Sequence, residues 1–339
     1  MLRWNTKITV TNEFGSSVSF PFVHSWQTDE SIESLTNTAQ VIIPRKLNQQ
    51  GMNLFAGANP IFKRRDKIKI EAGLFPDLRT IFDGYITHVS ANIPVRLECE
   101  DKMFLLKQIN FTYPKGLTTP EQKNTPIKLS ELIRLVWLSA GDLVSDCTYS
   151  IVSEIELGGF TISNANGAQV LDKLRSEYGI YSKFVGSVLR IGFAADATDT
   201  KTAEFKMEEV CINSNELEYQ EAADVRVKVK ATSMLRNNQR LEREVGDPDG
   251  EQRSFFAYNI TDVTVLDKMA NSWLEKNKYT GYQGSFETFG EPYLRHGDYA
   301  KIVSTKLPER DGNYLVKGVK RMYSVDGGYK QIFELWYKA

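Results

Sequence analysis

The amino-acid sequence predicts a mainly β, α+β protein in which two similar small β-barrels flank an inserted α+β module. Three observations carry that reading. Period-two alternation of apolar residues recurs near both ends of the chain. Helix-period patterns cluster in the middle, and a short motif, D-x-x-K-I, stands once in each strand-rich region. On this basis residues 1–108 form the first barrel and 109–215 the inserted module. Residues 216–339 form the second barrel, which takes in one helix at about 262–278.

In the first barrel Lys7–Thr11, Thr38–Ile43, Lys67–Ile70 and Val95–Cys99 each set apolar side chains on one face. Turn-forming clusters separate them: Asn12-Glu13-Phe14-Gly15, Gly57-Ala58-Asn59-Pro60 and Asp83-Gly84. Short strands with no long helix between them suit a closed or half-closed barrel. The texture changes near Asp101, and Pro114, Gly116, Pro120 and Pro126 mark a loop-rich crossing. A helix follows in which Leu129, Leu132, Ile133, Val136 and Ala140 share a face, started by Thr125-Pro126 and stopped by Gly141. Asn164 or Asn166 caps a second helix through Leu171, Leu174 and Tyr178, and Gly179 ends it. Gly158-Gly159 reads as a turn. Ile180–Val185 and Val188–Phe193, joined by Gly186-Ser187, make a hairpin.

Strand texture returns at Ala222. Val225, Val227, Val229 and Ala231 form one face, Arg226, Lys228 and Lys230 the other, and Asn237-Asn238 turns the chain into Arg240–Val245. One helix interrupts, with Leu266, Met269, Ala270, Trp273 and Leu274 on its buried side and Thr261 or Asp262 as its cap. Ser285–Phe289, Tyr299–Ser304, Tyr314–Tyr323 and Tyr329–Tyr337 complete the second barrel.

An internal echo links the two ends. Asp66-Lys67-Ile68-Lys69-Ile70 and Asp298-Tyr299-Ala300-Lys301-Ile302 share the D-x-x-K-I pattern. Each is followed by an Asp-Gly pair (Asp83-Gly84, Asp311-Gly312), a long strand and a closing strand. The common order reads as a structural duplication.

Composition narrows the function classes. In 339 residues, 42 Lys+Arg against 43 Asp+Glu argues against a protein devoted to gripping nucleic acid. No apolar run approaches the ~18 residues of a membrane helix. The first residues lack a signal-peptide layout, and three scattered cysteines (Cys99, Cys147, Cys211) imply no disulfide framework, so synthesis in the cytoplasm is expected.

Catalytic patterns are missing. His24, His88 and His296 fit no metal-binding or triad spacing, and His88, in an alternating strand, reads as a partly buried, hydrogen-bonded ring. The chain holds no nucleophile elbow, phosphate loop or dinucleotide fingerprint. Asp247-Pro248-Asp249-Gly250-Glu251 reads as a turn, because Tyr258 stands where a calcium loop needs a bidentate Glu. Glu208-Glu209 and Glu98-Glu100-Asp101 read as solvated strand ends. The stripe Arg226-Lys228-Lys230 reads as a solvent face paired with Glu242 and Glu244, against the alternative of a basic channel wall. The expectation is therefore no catalytic, cofactor-binding or metal-ligating residue, no cofactor and no small-molecule substrate. Tyr314, Tyr323, Tyr329, Phe333, Trp336 and Tyr337 read mostly as core, with any surplus serving subunit contacts.

The run Asp311-Gly312-Asn313-Tyr314-Leu315-Val316, continuing through Met322-Tyr323 to Gly327-Gly328-Tyr329, resembles the phage late control protein D family. These are baseplate hubs of contractile tails, related to the hub part of type VI secretion spikes. Pro292 to Asp298, Cys99 to Leu106 and the helix from Gln169 to Leu174 with its hairpin are similar to further pieces of that family. The resemblance implies a virion structural protein, not an enzyme. It implies a homotrimeric ring of pseudo-six-fold symmetry joining the tail tube protein to the spike protein, with DNA or an effector passing through. Assembly into a virion tail or injection apparatus follows, with no membrane-spanning segment and with the piercing tip on another polypeptide. Two other readings are a β-rich glycan- or surface-binding tail protein and a hydrolase with an unrecognised carboxylate pair.

Overall fold

The computed structural model describes residues 4–21, 23–44, 62–74, 76–90, 93–114, 127–152, 154, 156–157, 160–192, 200–214, 216–235, 239–258 and 260–339. The turns expected at 57–60, 158–159 and 237–238, the helix start Thr125-Pro126, and Gly116 and Pro120 lie outside the described residues.

Seven strands open the chain: β1 (Trp4–Thr11), β2 (Ser17–Phe20), β3 (Ser25–Ser31), β4 (Thr38–Ile43), β5 (Lys67–Leu74), β6 (Arg79–Val89) and β7 (Val95–Asp101). Helix α1 (Met103–Leu106) leads to β8 (Phe111–Tyr113), β9 (Ile127–Lys128) and α2 (Leu129–Ala140). Next come β10 (Thr148–Ile151), β11 (Glu156–Leu157), β12 (Ile162–Ala165), α3 (Gly167–Tyr178), β13 (Tyr181–Val185) and β14 (Val188–Gly192). Then β15 (Thr202–Lys206), α4 (Met207–Val210), β16 (Cys211–Asn213) and β17 (Leu217–Gln220) precede β18 (Val227–Met234), β19 (Arg240–Gly246) and β20 (Glu251–Tyr258). Helix α5 (Val263–Asn277), β21 (Gly281–Phe289), β22 (Tyr299–Val303), β23 (Gly312–Ser324) and β24 (Gly328–Lys338) close the chain.

Local chemistry explains the helix limits. Asn166, not Asn164, caps α3: its side chain accepts the Gln169 N–H while the Gln169 side chain accepts its own. Gly179 ends the helix in the left-handed conformation. At α5 the cap is Asp262, which accepts the Thr264 N–H at 2.8 Å.

The protein is mainly β. Among the described residues fourteen strands join one sheet in the order β16-β21-β24-β23-β3-β4-β7-β6-β5-β1-β2, with β17 also on β21, and β22 and then β15 beside β23. The two strand-rich ends are therefore hydrogen-bonded to each other, through β3 and β23. Their side chains fill two clusters, one around Ile8, Trp26, Val41, Ile68 and Leu97, the other around Phe205, Phe286, Tyr314 and Phe333.

Strand order repeats within this sheet. In chain order β1, β3, β4, β5, β6 and β7 correspond to β15, β16/β17, β21, β22, β23 and β24. Each set pairs in the same spatial order, β3-β4-β7-β6-β5-β1 against β17-β21-β24-β23-β22-β15. One pairing differs in sense: β1 and β5 are antiparallel, β15 and β22 parallel. The likeness reaches single hydrogen bonds. Asp66 Oδ2 accepts the Lys63 N–H at 2.7 Å, and Asp298 Oδ2 accepts the Arg295 N–H at 2.7 Å. The carbonyls of Asp66 and Asp298 accept from Ile86 and Val316 at 2.9 and 2.8 Å. Arg65 and Gly297, one residue before each aspartate, both hold positive φ, 79° and 84°. Each long strand then bulges, between Ile86 and His88 and between Val316 and Gly318.

The Asp-Gly pairs are not part of this equivalence. Ile86 matches Val316, so Gly84 corresponds to Tyr314, not to Gly312. Nor is Asp83-Gly84 a turn. It lies inside β6, where a Cβ on Gly84 would sit 2.1 Å from the Glu100 carbonyl oxygen of β7, so close strand approach demands the glycine.

Between the halves, α1, α2, α3 and the sheet β10-β14-β13 enclose a cluster from Met103 to Ile191. A second insertion interrupts the C-terminal half. Strands β18, β19 and β20, expected within the second barrel, form a separate three-stranded sheet β19-β18-β20. Val227, Val229 and Ala231 turn their apolar face onto Leu266 and Ala270 of α5. Alternation sets which face is buried but not which sheet the strand joins.

Candidate functional site

Where the two halves meet, the fold buries charge. Strand β3 carries acids and β23 carries bases, and their antiparallel register brings Asp29 opposite Lys320, Glu30 opposite Val319 and Thr28 opposite Arg321. Trp26, Thr28 and Glu30 face inward. The Arg321 guanidinium, fully buried, donates to Glu30 Oε1 and to the Leu294 carbonyl, and its Nε donates to Gln331 Oε1 at 3.2 Å. It lies 4.5 Å from the centroid of the Tyr293 ring. Gln331 Nε2 in turn donates to the carbonyls of Phe289 and Pro292, both at 3.0 Å. Outside this core, Lys317 bridges Glu33 at 3.1 Å and Glu334 at 2.8 Å.

Burial, the largest single influence, would raise the Glu30 pKa, but Arg321 and His296 together outweigh it and hold the carboxyl well below the usual carboxylate range. Burial would likewise lower the Arg321 pKa, and Glu30 reverses that. His296 Nδ1 stands 3.4 Å from Glu30 Oε2, an ion-pair distance without hydrogen-bond alignment. Burial lowers its pKa despite that neighbour.

A cleft of about 240 Å³ adjoins the pair and draws its walls from all three parts of the chain: Thr28 and Glu30, the β13–β14 hairpin from Lys183 to Gly186, and Arg295 with His296. Lys183 Nζ donates to the His296 carbonyl at 3.1 Å, tying the inserted module to the C-terminal half. Burial lowers the Lys183 pKa. Asp101, also on the cleft, is buried and accepts the N–H groups of Asn37 and Met103. Burial pushes its pKa up to about 7 against those two bonds. A raised acid pKa means the folded state keeps a proton that the unfolded chain releases near pH 3.8. Stability from this group is thus full at low pH and lost as pH rises toward 7. Asp101→Asn should flatten that slope, removing up to about 4 kcal/mol of pH dependence between pH 4 and 8, measured by urea unfolding across the range. An unchanged slope would place the titration elsewhere.

The residues singled out in the sequence are scattered. His24 and His88 are exposed; the partial burial expected for His88 fails because the adjoining bulge turns it outward. Asp101 is interior, not a solvated strand end, because it anchors the first turn of α1. Glu208 sits on α4 and accepts from Ser304 Oγ at 2.6 Å and from the backbone of Thr305 and Lys306, which lowers its pKa to about 2. Glu209 lies beside Lys206 at 3.5 Å. The basic stripe is paired as a solvent face: Lys228 with Glu244 at 2.6 Å, Lys230 with Glu242 at 2.8 Å, Arg226 with Asp249 at 2.5 Å. Asp247-Pro248-Asp249-Gly250 is a turn, with Asp247 on Lys278 at 2.6 Å. Tyr314, Tyr329 and Phe333 are core, while Tyr323, Trp336 and Tyr337 are half-buried. Sequence reasoning missed Glu30, Arg321 and Gln331. The available signal was a charged residue at the inward phase of an alternating strand, between Val319 and Tyr323.

The architecture is that of phage tail proteins and of a type VI secretion component. The chain superposes on the tail protein from Neisseria meningitidis MC58 with a TM-score of 0.64 at 12% identity, covering 98% of this chain and 96% of that one. The 43 kDa tail protein of prophage MuSo2 from Shewanella oneidensis gives 0.60 at 11% identity, covering 99% and 98%. The E. coli c3393 protein, a component of the type VI secretion system, gives 0.54 at 12%, covering 94% and 74%. No family model matches the sequence, and no curated protein matches it. Among the described residues no helix is long and apolar enough to cross a membrane.

Proposed function

We propose that the protein is a structural baseplate hub of a contractile phage tail or related injection system. Three copies close a ring of pseudo-six-fold symmetry that joins the tail tube to the central spike, and each half of the chain serves as one small β-barrel of that ring. The repeated strand order carries this reading: two units of one topology per chain give six near-equivalent units in three chains. Such a ring can meet a six-fold tube on one side and a three-fold spike on the other. The tail and secretion proteins that share the fold support it, and so does the buried Glu30–Arg321 seam, which suits a part that transmits load. In this reading residues 1–108 form one ring unit, and β15 and β16 join residues 216–339 in the other, so the inserted module runs from 109 and ends before β15. The chain performs no catalysis, is made in the bacterial cytoplasm and is assembled into the tail, and DNA or an effector passes through its lumen.

Mass measurement of the purified chain, alone and co-expressed with a candidate tube protein and spike protein from the same source, tests the proposal. A trimer, alone or in their presence, is the expected result. A chain that stays monomeric and binds neither overturns it.

A further inference from the structure

The seam inside the chain has two half-counterparts elsewhere in the sheet, on β6 and on β16/β17, that no described strand completes. The side of β23 away from β24 is shared: Gly312–Leu315 pair with β22, and Gly318–Ser324 pair with β3. In the equivalent strand β6, Arg79–Tyr85 pair with β5, but the stretch from Thr87 to Ser90 has no strand on that side among the described residues. Conversely, β16 and β17 correspond to β3. They pair with β21 on one side, and no described strand covers the other. Among the described residues each chain therefore satisfies one such seam internally and leaves two half-seams open.

We infer that the β17 edge of one copy pairs antiparallel with the free stretch of β6 in a second copy, continuing the sheet from chain to chain. The occupant is a second copy because the missing half of each edge is what this chain itself carries. Equivalence also sets the register. Thr28 pairs with Ala39 as Leu217 pairs with Gly284, so Asp29, Glu30 and Ser31 correspond to Glu218, Tyr219 and Gln220. Lys320, Val319 and Gly318 correspond to Ser90, Val89 and His88. The internal pairs Gly318–Ser31 and Lys320–Asp29 thus become His88 with Gln220 and Ser90 with Glu218. Charge agrees with this placement. The internal seam sets an acidic strand against a basic one; Glu216 and Glu218 make the β17 edge acidic, and the exposed turn Lys63-Arg64-Arg65 adjoins the free stretch, Arg65 N–H bonding the Ile86 carbonyl at 2.8 Å. Unpaired strand edges invite such addition, and a head-to-tail contact of unlike edges closes as a ring when its rotation permits.

This inference rests on the ring reading, and disulfide trapping in the full chain separates the two. The matched pairs are His88→Cys with Gln220→Cys and, independently, Ser90→Cys with Glu218→Cys. His88→Cys with Glu218→Cys is offset by two residues, beyond the ~7 Å limit for a bridge. Six strands of the sheet lie between β6 and β17 within one chain, so a bridge must join copies. Single variants set the background from the native cysteines, and melting curves establish folding. Oxidation of either matched pair is expected to give covalent dimers and trimers on non-reducing gels, several-fold above the offset pair. A trimer by mass with no matched cross-link overturns the edge pairing and leaves the ring. A monomer by mass with no cross-link overturns both.

Discussion

Arg321→Met is expected to cost about 3–5 kcal/mol of unfolding free energy, because removing one partner of a buried pair strands the other as an uncompensated charge. Glu30 has its second oxygen 3.4 Å from His296 Nδ1, and little solvent reaches it. The substitution also leaves the Leu294 carbonyl and Gln331 Oε1 without their guanidinium donor. Two companion results identify the mechanism. In the native chain the depressed Glu30 pKa gives stability that is present above its unfolded value of 4.5 and is lost as pH falls below it. Arg321→Met should abolish that acid dependence. The double variant Glu30→Gln, Arg321→Met should recover much of the loss, since an apolar or neutral pair of similar volume needs no charge desolvation. Equilibrium denaturation of the three variants from pH 3 to pH 7 is the measurement. A loss below ~1 kcal/mol would mean that the pair behaves like a solvated surface bridge.

The aromatic half of the seam should be as sensitive. Trp26→Ala is expected to lose about 3–5 kcal/mol, the range for removing a buried large aromatic. The indole is 1% exposed and stacks on Tyr323 of β23 at 6.1 Å between ring centroids and 15° between planes. It also meets Tyr329 of β24 at 5.5 Å and donates its N–H to Thr6 Oγ1 at 2.9 Å. One side chain on β3 thereby holds β1, β23 and β24 together. Trp26→Phe keeps most of the contact area and loses one hydrogen bond, so it should cost about 1–2 kcal/mol. Calorimetry reports whether the halves still melt together. A single unshifted transition in Trp26→Ala would show that the halves do not depend on this contact.

Much of the fold was legible in the chain. Alternation located β1, β4, β5, β7 and the C-terminal strands, because a half-buried strand writes its facing into every second residue. Asn164 or Asn166 before one apolar helical face, and Thr261 or Asp262 before another, announced two helix starts, since capping is satisfied within a few residues; the structure uses Asn166 and Asp262. The D-x-x-K-I echo located equivalent strands, β5 and β22, at both ends; the structure adds that each is entered through an aspartate that closes a local hydrogen-bonded loop onto the residue three before it. The Asp-Gly pairs misled for the opposite reason: Gly84 answers to the backbone of a neighbouring strand rather than to a turn of its own. Asp101 misled in the same way, since its burial depends on α1 and Asn37.

What the sequence determined by itself was local and periodic: which segments are strands or helices, which faces are apolar, and that one strand motif occurs twice. Only the tertiary structure decided which strands share a sheet, that β18–β20 stand apart, and that Glu30 finds Arg321 across 291 positions of chain. Charge pairing at that separation follows from backbone register. Register is set by the collective packing of both halves, which no short window of residues records.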